Sequence, residues 1–287
     1  MKKLKNIFVS TTFAKNNSKI SDVLSLCKKE KIENIELGSN HAYENNFKGI
    51  VKKYNFRFIV HNYFPIPKKS FVVNIASSSD RIRSLSLQHV KKAINFCRQT
   101  NSKLYTFHPG FVSDPITASK SSKNYDFIWK KKDLNKNYKF AFKNMLNSLK
   151  KIIIFAKSKG VKIAIETEGS YKKSKLLLMQ KPEEYQKLFK YFLPKELGIN
   201  LNIGHLNLAA KAFDFSKLEF VKQLKPYIVA IELSHNNGIE DQHLPLKKNA
   251  WYWKIINDPD FSDVYKILEF RNTNIKDIKK IFTFFQN

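Results

Sequence analysis

Apolar runs of strand length alternate with helical patterns from one end of this 287-residue chain to the other. That alternation constrains the fold more than any other feature of the sequence. Strands are expected at residues 7–9, 32–37, 56–61, 103–108, 161–166, 198–202, 227–234 and 265–270. Helical spacing runs through Val23, Leu24 and Leu26, then over 47–54, 80–100 and 135–159, after Pro182, and over 275–285. Ser79 or Asp80 suits an N-cap for the helix at 80–100, and Gly160 suits the position just past the end of the next. The β/α order has no repeated interruption, low-complexity stretch or obvious linker. It predicts an α/β fold, a (β/α)8 barrel built as one domain over residues 1–287. A doubly wound sheet is the alternative, but it wants a glycine-rich first βα turn where this chain has Ser10-Thr11-Thr12.

A barrel of this kind places its chemistry at the C-terminal ends of the strands. The expected strand ends carry His61, His108, Glu166 with Glu168 beyond it, Asn202 with His205 three residues on, and Glu269. The seventh strand is the richest: Glu232 and His235 are followed by the turn Asn236-Asn237-Gly238, then by Asp241 and His243. Two residues apart in an extended segment, that carboxylate and imidazole point to the same side. Taken alone, the pair divides evenly between ligand chemistry and a polar loop. Six of the seven histidines, however, fall at or just past expected strand ends: His41, His61, His108, His205, His235 and His243. His89 lies inside a helix and reads as a surface or packing residue. One strand-end histidine is more often a hydrogen-bonded structural group. Their joint placement points to a divalent metal centre at the strand ends.

The formal net charge of +28 would ordinarily indicate a polyanionic partner. Only five of the basic residues are arginine, though, and readers of phosphate and bases favour that side chain. Lysine spread through the helices reads as compositional habit as much as a nucleic-acid footprint. No apolar run reaches the ~18–20 residues needed to span a bilayer, so no membrane partner is expected. The first strand accounts for the apolar part of the N-terminus, which is too short and polar for a signal segment. Cys27 and Cys97 sit among apolar neighbours in helical patterns, which predicts buried free thiols and a cytoplasmic, reducing setting.

The segments VSTTF, IELGSN, VHNYF, NIASSSDRIRSLSLQHVKKAI, FHPG, IETEG, LNIGHLNLA, DQHLPL and ILEF together cover essentially the whole chain. As a set the chain resembles the xylose-isomerase-like barrel superfamily, which includes sugar-phosphate isomerases/epimerases and the endonuclease IV group of apurinic endonucleases. The resemblance implies Glu166 and Glu269 as central metal ligands and, in an isomerase or epimerase, as the carboxylate pair that moves the proton. It implies His61 and His108 at a neighbouring metal position bridged through Glu166. His205, Asp241 and His243 match a third position used by the endonuclease IV group. Two residues depart from the pattern: Asn202 stands where an Asp is usual, and Glu232 where a His is usual. The central set becomes Glu166, Asn202, Glu232 and Glu269, an oxygen site suited to Mn or Mg, while the histidine positions suit zinc. The usual Gly-Glu-Gly after the His-Leu-Pro segment is also replaced, by Lys247-Lys248-Asn249.

Three functions follow as expectations. The first is a metal-dependent isomerase/epimerase of a sugar or sugar phosphate, with His61, His108, His205 and His235 near the substrate and Lys247 or Lys120 holding a phosphate. The second is an endonuclease IV-like phosphodiesterase acting on abasic DNA; Phe64, where such nucleases tend to carry a tyrosine, counts against it. The third is a non-catalytic sugar or phosphate binder with a degenerate metal site.

Overall fold

The computed structural model describes residues 6–118, 127–129 and 137–285. Eight parallel strands close into a barrel: β1 (Ile7–Ser10), β2 (Asn34–Leu37), β3 (Arg57–His61), β4 (Leu104–Phe107), β5 (Lys162–Glu166), β6 (Gly198–Asn202), β7 (Ile228–Leu233) and β8 (Tyr265–Leu268). Each strand pairs with its neighbours in sequence, and β1 closes the ring on β8 through Ile7–Lys266 and Val9–Leu268. The helices α1 (Ile20–Lys29), α2 (Phe47–Val51), α3 (Asp80–Gln99) and α4 (Tyr138–Lys159) accompany the first four strands. They are followed by α5 (Pro182–Leu188), α6 (Ile203–Phe213), α7 (Lys217–Leu224), α8 (Trp253–Ile256) and α9 (Ile275–Phe282). A short antiparallel ribbon pairs Thr117–Ala118 with Phe127–Ile128 between β4 and α4.

Strand alternation builds two surfaces. One parity, including Val9, Ile35, Val60, Phe107, Ile165, Leu201 and Leu233, faces the helices in the main core. The other points into the barrel, where Phe8, Ile59, Leu104, Ala164, Ala230 and Ile267 form a separate apolar cluster. Two residues further along the same strands the inward positions turn polar: Ser10, His61, Thr106, Glu166, Glu232 and Glu269. The barrel therefore has an apolar floor with a polar layer directly above it, facing the C-terminal end.

Local signals place the helix ends. Ser79 Oγ accepts from Ile82 N and starts α3, and Gly160 takes φ +65 to end α4. The ribbon, α6, α7 and α8 go beyond the sequence expectation. Helix α6 follows β6 with no intervening loop, and α7 supplies a second helix before β7. In the 251–253 aromatic run, Tyr252 is fully buried, Trp253 packs on Phe285 at 5.4 Å, and Lys217 Nζ lies 4.3 Å from the Trp251 ring centroid.

No helix among the described residues is long and apolar enough to cross a membrane. Cys27 and Cys97 are both buried free thiols, and burial pushes each up to about 12. The folded protein is therefore expected to leave a thiol-reactive dye largely unreacted at neutral pH, and to release two equivalents once unfolded. Fast labelling of the native protein would contradict this packing.

Candidate metal centre

Four histidines and five carboxylates from the expected strand ends converge on the polar layer. His61 ends β3 and His108 follows β4 directly; Glu166 ends β5 and Glu168 lies two residues on. His205 sits in the first turn of α6, while Glu232 is on β7. Asp241 and His243 come from the long segment after β7, and Glu269 comes just past β8. All but His108 are buried, and the His108 side chain is only 14% exposed. His243 has φ +48, a left-handed backbone that non-glycine residues rarely adopt and that is often found at functional sites.

Two compact clusters emerge, each with two imidazoles and one carboxylate. In the first, Glu166 Oε2 lies 3.7 Å from His61 Nε2 and 3.5 Å from His108 Nδ1. In the second, Asp241 Oδ2 lies 3.0 Å from His243 Nε2 and 3.6 Å from His205 Nε2. Glu166 joins the two, because its Oε1 is 3.1 Å from His205 Nδ1. In each cluster one donor atom from every member lies within 4.8 Å of the others. Glu166 Oε2 is buried and receives no hydrogen bond. Such an orphaned oxygen beside two imidazoles fits a cation.

The clusters are held by partners behind them. His108 Nδ1 is 2.6 Å from Glu168 Oε1, and His61 Nδ1 is 2.8 Å from Thr106 Oγ1. His205 Nδ1 reaches the carbonyl of Thr167 at 2.9 Å, which leaves Nε2 facing Asp241. His243 Nδ1 is 3.1 Å from Glu269 Oε2, and Arg271 Nη2 is 3.6 Å from Glu269 Oε1. Carboxylate or carbonyl partners of this kind fix the tautomer of a ligating histidine and orient its ring.

Burial alone would drive the Glu166 carboxyl up, but His108, His205 and His61 hold it well below the usual range. Burial also opposes ionisation of Glu269, and there His243 prevails and lowers it. For His108 and His243 burial is again opposed, by Glu168 and Asp241 respectively, and both imidazoles are held at about 9. His61 is different: burial outweighs its carboxylate neighbours and lowers it to about 4.

The sequence reading missed Glu36, the inward residue of Ile35-Glu36-Leu37 on β2. It is fully buried, both its oxygens lack a hydrogen-bond partner, and it groups with His61 and Glu232. Burial, reinforced by nearby carboxylates, pushes Glu36 and Glu232 well above the ordinary carboxylate range. The alternation of that strand was the available signal. Asn200 was also missed; its Nδ2 donates to Glu232 Oε1 at 2.6 Å.

Other expected site residues lie elsewhere. His235 belongs to none of the metal-compatible groups among the described residues; its ring packs toward Tyr252 and its backbone pairs with Leu244. His41 is consumed by Ser18 O and Thr11 Oγ1, at 3.1 and 2.8 Å. His89 is buried against Tyr63 and Phe71. Lys247 is exposed, and Lys120 lies outside the described residues.

Fold and site together define a closed α/β barrel with histidine–carboxylate clusters at its C-terminal end. The chain belongs to the xylose isomerase-like TIM barrel family, whose model matches residues 27–286. It is 25% identical over 283 residues to the uncharacterized protein MJ1614 of Methanocaldococcus jannaschii, covering 94% of each chain. Among solved structures, it resembles a D-tagatose 3-epimerase-like protein with TM-score 0.73 and 20% identity, covering 98% of this chain and 97% of the other. It also resembles endonuclease IV from Thermus thermophilus with TM-score 0.59 and 11% identity, covering 97% of each.

Proposed function

We propose that this protein is a metal-dependent hydrolase of phosphate esters, acting on a phosphodiester in the manner of the endonuclease IV branch of its family. One observation carries the reading: two clusters of two histidines and a carboxylate share Glu166 as their common wall. Divalent cations held there would supply Lewis-acid polarisation of a phosphate oxygen and activation of water at neutral pH. His61, His108 and Glu166 would hold one, and His205, Asp241 and His243 the other. Glu168, Thr106 and Glu269 would orient the imidazoles. The net charge of +28 suits a polyanionic substrate. The test is hydrolysis by zinc-loaded protein of bis-p-nitrophenyl phosphate and of a duplex bearing an abasic site. Turnover abolished by a chelator and restored by Zn2+ is expected, and no turnover with any divalent metal would overturn the reading. Phe64, where abasic-site nucleases tend to carry tyrosine, is fully buried between Phe47 and Phe96. The simple diester is therefore the more informative of the two substrates.

A second reading, a sugar or sugar-phosphate isomerase/epimerase, is favoured by the resemblance to the D-tagatose 3-epimerase-like structure and by the placement of Glu166 at the end of β5 and Glu269 just past β8. Incorporation of solvent deuterium at a carbon next to a ketose carbonyl would support it over hydrolysis.

A further inference from the structure

The strand-end residues Glu166, Asn202, Glu232 and Glu269 would form a central cation site between the two outer clusters if Asn202 presented its oxygen inward. It does the opposite. Asn202 Oδ1 accepts from His205 N at 3.0 Å and caps α6. Its Nδ2 donates to Glu166 Oε1 at 2.9 Å and to Glu232 Oε2 at 3.0 Å. Both amide hydrogens are thus committed to the two carboxylates that a cation would bridge, and an amide nitrogen so engaged has no electron pair to offer. Turning the amide over would set its oxygen against the Glu166 carboxylate and its NH2 against the His205 N–H, breaking the hydrogen bonds to both in a buried site. The neighbouring inward position reinforces the arrangement. Asn200 donates to the other Glu232 oxygen at 2.6 Å, so two successive inward amides of β6 brace one carboxylate of β7 and occupy both oxygens that Glu232 would bring to its group with Glu36 and His61.

We infer that this chain binds two divalent cations, and that the Asn202 carboxamide replaces a third by cross-linking Glu166 to Glu232. The inference rests on the reading of the two outer clusters as metal sites. The Asn202 oxygen meanwhile starts the helix that carries His205.

The test is Zn2+ stoichiometry, measured by elemental analysis of full-length protein stripped with chelator and reloaded. Two variants keep an N-cap acceptor, so neither removes the start of α6. Asn202→Asp replaces the amide nitrogen by a carboxylate oxygen, and Asn202→Ser removes the cross-link. The wild type is expected to hold two equivalents, Asn202→Asp three and Asn202→Ser two. Three equivalents in the wild type would overturn the inference and leave the hydrolase reading intact. So would a loss of one equivalent in Asn202→Ser, or a failure of Asn202→Asp to gain one. Fewer than two in the wild type would remove the hydrolase reading and this inference together.

Discussion

Glu166→Gln is expected to lower the affinity for Zn2+ by roughly 100-fold or more, beyond the ~10–100-fold cost of losing an orienting partner at a metal site. Phosphodiester turnover should fall with it. Glu166 stands at the meeting point of His61, His108 and His205, so one change weakens both clusters at once. The glutamine keeps the volume and leaves an oxygen to accept from Asn202, so the barrel is expected to stay folded. A competition titration with a chromophoric chelator reads the affinity, and far-UV circular dichroism checks the fold. Unchanged affinity in a folded variant would show that Glu166 is not a ligand.

Gly169→Ala is expected to be the most damaging small substitution in the chain. A methyl group at position 169 would sit 2.0 Å from the carbonyl oxygen of His205 and 3.1 Å from Ala209 Cβ. The first contact is with backbone, which cannot swing aside as a side chain does. Either the segment after β5 or the first turns of α6 must move. Overpacking of this kind costs about 3 kcal/mol or more when nothing flexible yields. For a protein of this size the midpoint of thermal unfolding then falls by about 2–4 °C for each kcal/mol. Because His205 is the residue approached, zinc loading should weaken as well. A variant with wild-type midpoint and loading would show that the two segments separate freely.

Much of this architecture is written in local pattern. Runs such as 161–166 and 198–202 announce buried parallel strands, and imidazoles collected after them announce a metal centre. Position along the chain does not distinguish a ligand from a satisfied structural group, however. His41 follows β2 by four residues and His108 follows β4 directly, yet Thr11 and Ser18 engage both nitrogens of His41. Glu36 escaped notice because it lies one residue before the end of its strand, where only the inward parity reveals it. The role of Asn202 was not legible from sequence either. It depends on β6 running straight into α6, so that one residue both ends a strand and caps a helix. That junction also explains why LNIGHLNLA looked like a strand end with trailing polar residues.

The six side chains of the barrel floor, Phe8, Ile59, Leu104, Ala164, Ala230 and Ile267, act as an insulator. Solvent is kept from the underside of the polar layer, so the field of its carboxylates and imidazoles is poorly screened in that direction and acts toward the open end. Ions and substrate are therefore expected to approach from the C-terminal end of the barrel and not through its floor.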